Sequence, residues 1–87
     1  MATIPDVILT GTAYQNLYAA TGTVLGTSVT LQNKSRDEIF IQNIASQPSS
    51  SSKNGWVLAP LEAVDVTGVI VGLWAFGTGP IMLEVII

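Results

Sequence analysis

Few side chains in this sequence can do chemistry. Its 87 residues include no His and no Cys. That removes the usual general base near neutral pH, the commonest metal ligand, any disulfide framework and any thiolate. Six carboxylates remain: Asp6, Asp37, Glu38, Glu62, Asp65 and Glu84. Glycoside hydrolysis needs two carboxyl groups facing each other across a cleft. Glu62 and Asp65 flank a turn and a strand start, and Asp37 and Glu38 share a polar turn, so both pairs read as solvated strand ends. Asp37 with Glu38 is also too small a set for Ca²⁺, which takes about six to eight oxygens. Ser49 to Ser52 beside Lys53 has the ingredients of a Ser–Lys nucleophile, yet a nucleophile needs its base held on a rigid frame. A run of serines reads instead as a linker. Gly77-Thr78-Gly79 precedes Pro80 and a strand, whereas a phosphate cradle needs a following helix with its amides facing the anion. No catalytic residue, metal site or cofactor is expected.

The aromatic residues are the remaining ligand-binding candidates. Tyr14, Tyr18, Trp56 and Trp74 have rings that can stack on sugars. Trp74 sits in the most apolar stretch and is expected in the core or between subunits. Trp56 follows a polar loop and is the candidate for an exposed, ligand-stacking ring.

Charge narrows the partners. The only cations are Lys34, Arg36 and Lys53, and the net charge is −3. Nucleic-acid binding leaves a cluster of Lys and Arg; none is present, so no nucleic acid is expected. Met1 to Asp6 has neither a basic nor an apolar region of signal-peptide type. Val66 to Ile87 is as long as a bilayer span. However, Gly68, Gly72, Gly77, Gly79, Pro80 and Glu84 interrupt it, and no basic flanks anchor it. Two strands joined by a turn at Gly77–Pro80 explain it better, and no membrane is expected.

These side chains must be carried by short β elements. Residues 1–11 read as an N-terminal arm or edge strand, and residues 12–87 as a single β domain. Thr12 and Gln15 have capping-box spacing. They predict a short helix over 13–20 with Ala13, Leu17 and Ala20 on one face and Gly22 as its stop. Thr27 to Asn33 alternates, with Val29 and Leu31 inward. Asn33 to Asp37 reads as a hairpin turn and Glu38 to Ala45 as the returning strand. Ser46 to Gly55 reads as a flexible surface loop, so removing Ser49 to Ser52 is expected to change stability by well under ~1 kcal/mol. Trp56 to Leu58 restarts the apolar pattern. Ala63 to Thr67 alternates with Val64 and Val66 inward, Val69 to Phe76 is a near-continuous apolar strand, and Ile81 to Ile87 closes the chain. Six to seven short strands with turns every eight to twelve residues predict an all-β fold, a small antiparallel β-sandwich or barrel.

Composition adds an expectation about assembly. Hydrophobic residues are 48% and charged residues 10% of the chain, against about 25% charged in ordinary domains. Strands 38–45, 69–76 and 81–87 carry apolar groups on both faces, while a two-layer sandwich covers one face of each sheet. The second faces supply the expected subunit-interface residues: Phe40, Ile44, Trp74, Phe76, Met82 and Ile86. A homo-oligomer is expected, with a trimer favoured.

The order of features from Asn16 onward resembles small virion structural proteins of tailed bacteriophages. The residues that carry the likeness are NLYAATGTVLGTSVTLQNKS (Asn16 to Ser35), EIFIQ, a Ser- and Pro-containing loop, GWVLAPLEAVDV (Gly55 to Val66) and GLWAFGTG (Gly72 to Gly79). The resemblance implies a β-rich, non-enzymatic subunit made in the host cytoplasm and mounted on the virion. Capsid decoration or a head fibre is favoured over a tail-associated role. It implies self-association and contact with other virion proteins such as the major capsid protein. A small carbohydrate-binding module carried by Trp56 and the Ser-rich loop is the alternative.

Overall fold

The computed structural model describes residues 4–86. The expected positions of residues 1–3 in the arm, and of Ile87 on the last strand's apolar face, lie outside them. Eight strands and one short helix follow in order: β1 (Val7–Thr10), β2 (Gln15–Asn16), α1 (Leu17–Thr21), β3 (Val29–Asn33), β4 (Ile39–Gln42), β5 (Trp56–Leu58), β6 (Ala63–Val66), β7 (Trp74–Phe76) and β8 (Thr78–Val85). They form two four-stranded sheets, ordered β1-β8-β3-β6 and β2-β7-β4-β5. Every pairing is antiparallel.

The pairings nest. β1 lies on β8, β2 on β7, β3 on β6 and β4 on β5. The first half of the chain thus runs along the second half as one long ribbon, folded back at residues 43–55. The pairs β3·β8 and β4·β7 then roll that ribbon into two sheets. Eight strands arranged this way make a jelly roll, a double-sheet architecture. The all-β sandwich expectation holds, with eight strands rather than six or seven and two separate sheets rather than a barrel.

Period-two alternation builds the core. Val7, Leu9, Val29, Leu31, Ile81 and Leu83 face inward from one sheet, and Ile39, Ile41, Leu58 and Ala75 from the other. Leu17 and Tyr18 of α1 and Ile70 and Leu73 of the β6–β7 loop close the same core. β1 contributes Val7 and Leu9 to this core, so the N-terminal edge strand belongs to the domain.

Several local expectations shift for identifiable reasons. The helix starts at Leu17, capped by Asn16, whose Oδ1 accepts from the Ala19 amide at 3.1 Å. Thr12 is not its cap: its hydroxyl pairs with that of Thr10, and the Gln15 side chain accepts from the Thr10 amide. Ala20 is exposed, so the buried face is Leu17 and Tyr18. Gly22, at φ 71, ends the helix as expected. Asn33 to Asp37 is no hairpin: it crosses from one sheet to the other. Gly77 to Pro80 likewise crosses, because β7 and β8 lie in different sheets. β8 already begins at Thr78, and Gly79 at φ +107 sits against Ser35, where a β-carbon would come within 2.8 Å of the Ser35 Cβ. β3 ends opposite Ile81, so Pro80 has a strand partner on one side only, where proline is tolerated. In the stretch read as one strand over 69–76, only Trp74–Phe76 is strand. Ile70 and Leu73 turn inward and Val69 and Val71 outward.

Asn33 joins the two sheets. It shares the inward parity of Val29 and Leu31 and is fully buried. Its Nδ2 donates to the carbonyls of Leu58 at 2.9 Å and Asp37 at 2.7 Å. Its Oδ1 accepts from the Ser35 amide and hydroxyl at 2.8 and 2.7 Å. The side chain of a strand in one sheet thus satisfies a carbonyl of β5 in the other and shapes the crossing between them.

Asn33→Ala strips partners from several buried groups at once. Each such loss costs about 1–3 kcal/mol, so the variant should lose at least ~3 kcal/mol in urea unfolding. A loss below ~1 kcal/mol would show that the joint is dispensable. A second expectation concerns Tyr18, whose hydroxyl donates to the Thr27 carbonyl at 2.6 Å. Burial raises its phenol above the ordinary value of 10.0. The unfolded chain therefore releases this proton first, and stability contributed by Tyr18 is intact below pH 10 and falls as pH rises beyond it. Tyr18→Phe should flatten the alkaline limb of melting temperature against pH; an unchanged limb would assign that limb to other groups.

Candidate functional site

The carboxylates do not converge. Asp6 pairs with Lys34 at 2.7 Å. Glu62 caps the turn before β6 by accepting from the Ala59 amide at 2.9 Å. Asp65 accepts from the Thr30 hydroxyl at 2.7 Å on the outer face of the first sheet, where Glu84 lies opposite Thr30 on the other side. Among the described residues no three of His, Cys, Asp and Glu cluster as metal ligands. Nor does any buried side-chain nitrogen or oxygen there lack a hydrogen-bond partner. Among the described residues no helix is long and apolar enough to cross a membrane.

The six expected interface residues fall on separate surfaces. Phe40, Trp74 and Phe76 point out from the second sheet and are half-buried. Met82 and Ile86 belong to the outer side of the first sheet, Met82 half-buried and Ile86 at its end. Ile44 lies beyond β4 in the loop, exposed. They do not make one patch. Trp74 is not in the core: Leu73 and Ala75 face inward, and the Trp74 indole lies outside, donating to the Ile44 carbonyl at 3.0 Å.

The loop read as a flexible linker helps to cover Phe40 and Phe76. Residues 47–53 fold back over the second sheet. The Tyr14 hydroxyl donates to the Ser52 carbonyl at 2.6 Å, and Gln42 Nε2 donates to Ser52 Oγ at 3.0 Å and to the Tyr14 hydroxyl at 3.2 Å. Gln47 Nε2 reaches the Tyr14 carbonyl at 2.7 Å. Tyr14 packs on Phe76 with ring centroids 5.3 Å apart, and the Lys53 ammonium sits 4.5 Å from the Phe76 ring centre and 4.8 Å from that of Phe40. The apolar face expected to need another subunit is covered in part by the chain itself. Composition alone could not reveal this, because the anchors are backbone carbonyls and amide side chains.

Trp56 is 41% exposed, as expected, and lines a cleft of about 330 Å³ with Gln42, Asn43, Ile44, Asn54 and Gly55. The cleft has the ring a sugar would stack on, but few free polar groups. Asn43 donates to the Val69 carbonyl and accepts from the Val71 amide, both at 3.0 Å. The Gln42 amide nitrogen is held by Tyr14 and Ser52.

Strand direction puts the loops 22–28, 43–55 and 67–73 at one end of the sandwich, and the loops 11–14, 34–38 and 59–62 at the other. At the first end Val24 is 78% and Val69 86% exposed, with Leu25, Ile44 and Val71 also exposed. Segments 22–28, 43–49 and 67–73 hold no charged residue. The opposite end holds Lys34, Arg36, Asp37, Glu38 and Glu62. The sequence signal was available: large aliphatic residues in glycine-flanked loops without a charge. Comparison with family profiles, curated proteins and solved structures finds no match to this chain.

Removing Ser49 to Ser52 takes away the cover over Tyr14 and Phe76, contrary to the expectation from loop length alone. The deletion should cost roughly 2–3 kcal/mol, from the Tyr14 hydroxyl losing its acceptor and from newly exposed aromatic area. Denaturant unfolding that shows a shift under ~0.5 kcal/mol would mean the loop only rests on the sheet.

Proposed function

We propose that this chain is a non-enzymatic structural subunit of a bacteriophage particle, a capsid decoration or head-fibre protein that works by self-association and attachment. The observation that carries the reading is the division of its surface. At one end the segments 22–28, 43–49 and 67–73 expose large aliphatic side chains and hold no charged residue, the other end gathers Lys34, Arg36, Asp37, Glu38 and Glu62, and the body between them is an eight-stranded sandwich. A site for chemistry would concentrate titratable groups in a cleft; here the carboxylates are dispersed, Asp6 in an ion pair, Glu62 on a turn and Asp65 on an outer sheet face. Jelly rolls occur in viral capsid proteins, and also in lectins and cupins, so the fold is compatible with the reading while the surface argues for it. The likeness of Asn16 to Gly79 to phage virion proteins points the same way. A tail-associated position uses the same surfaces.

The carbohydrate-binding alternative has Trp56 and its cleft in its favour. Against it, Asn43 and the Gln42 amide nitrogen are already committed within the fold, which leaves Asn54 as the main open amide of the cleft. A sugar site needs donors and acceptors left open to the ligand.

The reading is tested by quantitative mass spectrometry of gradient-purified phage particles from a culture carrying the gene. The chain should stay with the particles through purification. A copy number near that of the shell protein places it on the head, and a handful of copies places it in the tail. Its confinement to the soluble fraction of the lysate would overturn the reading.

A further inference from the structure

We propose that the chargeless loop end is the surface through which copies of this chain meet, end against like end around a rotation axis. This rests on the self-association in the reading above and names its interface. The residues that carry it are Val24, Leu25, Ile44, Val69 and Val71.

They lie on three loops at the same end of the sandwich, two of them tied together from beneath. Asn43 clamps the 67–73 loop through the Val69 carbonyl and the Val71 amide. Gly72 lies so close to the Ile44 carbonyl that a β-carbon there would collide with it, and the Trp74 indole bonds to that same carbonyl. The 22–28 loop is held by its own turn, where the Thr27 amide and hydroxyl donate to the Val24 carbonyl, and by Tyr18, whose hydroxyl donates to the Thr27 carbonyl. Loops tied down in this way lose little further freedom on binding, so apolar contact is not offset by ordering.

The occupant follows from charge. Of the other exposed aliphatic residues among those described, Ile8, Val57 and Leu61 stand singly on β1, β5 and the turn before β6. Stacking it on the far end of a second copy would cover Lys34, Arg36, Asp37, Glu38 and Glu62, and burying charges without partners is costly. The outer face of the first sheet presents Thr30, Gln32, Asp65 and Glu84. That of the second sheet is occupied by the chain's own loop and Lys53. The same end of another copy offers several uncharged aliphatic residues together in return. Contact of like with like closes on itself and does not grow into a filament. A stable joint of ordinary size takes about 800 Å² from each partner, roughly a sixth of the 4794 Å² surface of this chain.

The test places charge on the apolar end. Val69 and Val24 are largely exposed, so Val69→Glu and Val24→Glu should keep the β-sheet circular dichroism of the parent. Sedimentation equilibrium at micromolar concentration should find the parent as a multiple of 9.1 kDa and both variants as the 9.1 kDa monomer. Ile8→Glu puts the same charge on another exposed residue, in β1, and should leave the mass of the assembly unchanged. Mixing Val69→Glu with Val69→Lys should restore the assembly, because opposite charges then meet across the axis. A parent that is itself monomeric would overturn both this proposal and the self-association behind it. An oligomeric parent whose Val69 and Val24 variants keep the full mass would overturn the interface alone and leave self-association standing.

Discussion

The two sheets of this protein are tied together through one buried amide. Asn33 occupies a position that alternation assigns to an apolar side chain, and it accepts the cost of burial because each of its polar atoms finds a fixed partner. One partner, the Leu58 carbonyl, belongs to the opposite sheet, and the others define the crossing from β3 to β4. A Leu at the same position would pack equally well and leave the two sheets free to choose other offsets. The amide specifies one arrangement, since any slip would leave buried donors and acceptors without partners.

That specification sets the rest of the architecture. Once β3 and β5 hold their offset, β3·β6 and β4·β5 fix the ribbon, and β8 and β7 fall between their neighbours. The ribbon geometry separates the loops into two groups at opposite ends. Charge gathers at the end where the chain crosses by way of Asn33 and Ser35. The other end is left to aliphatic residues whose polar backbone is satisfied from below by Asn43 and Trp74. The surface argued to matter for function is therefore a product of strand topology as much as of composition.

The parts of this design legible in the sequence are those that depend on period-two alternation. Val29 and Leu31, Val64 and Val66, and Ile81 and Leu83 declare their inward faces directly. The jelly-roll order was not legible, because a turn such as Asn33 to Asp37 has the same composition whether it returns within a sheet or crosses to another. The cover over the outer aromatics was hidden for a related reason. Phe40, Trp74 and Phe76 announce that something covers them, and nothing in their spacing says whether the cover is a second subunit or the serine-rich segment 47–53. The role of that segment lies in the Ser52 carbonyl and the Gln47 amide, groups without a compositional signature. Trp56, by contrast, was readable as exposed from its place after a polar loop, although the commitment of its neighbouring amides was not.

The nested pairing also governs how quickly the native state can be reached. The β4–β5 contact closes over residues 43–55 alone, whereas Val7 meets Ile81 across almost the whole described chain. Each outer pair must wait for the entropy of a longer closure, so folding proceeds outward from the bend. Topologies dominated by such distant pairings fold in milliseconds to seconds, slow for a domain of this size. Until β1 docks, β8 presents an open edge in a chain with little charge to keep copies apart. Refolding yield should therefore depend on protein concentration more than native stability does, and crowding during synthesis favours pairing between chains over pairing within one.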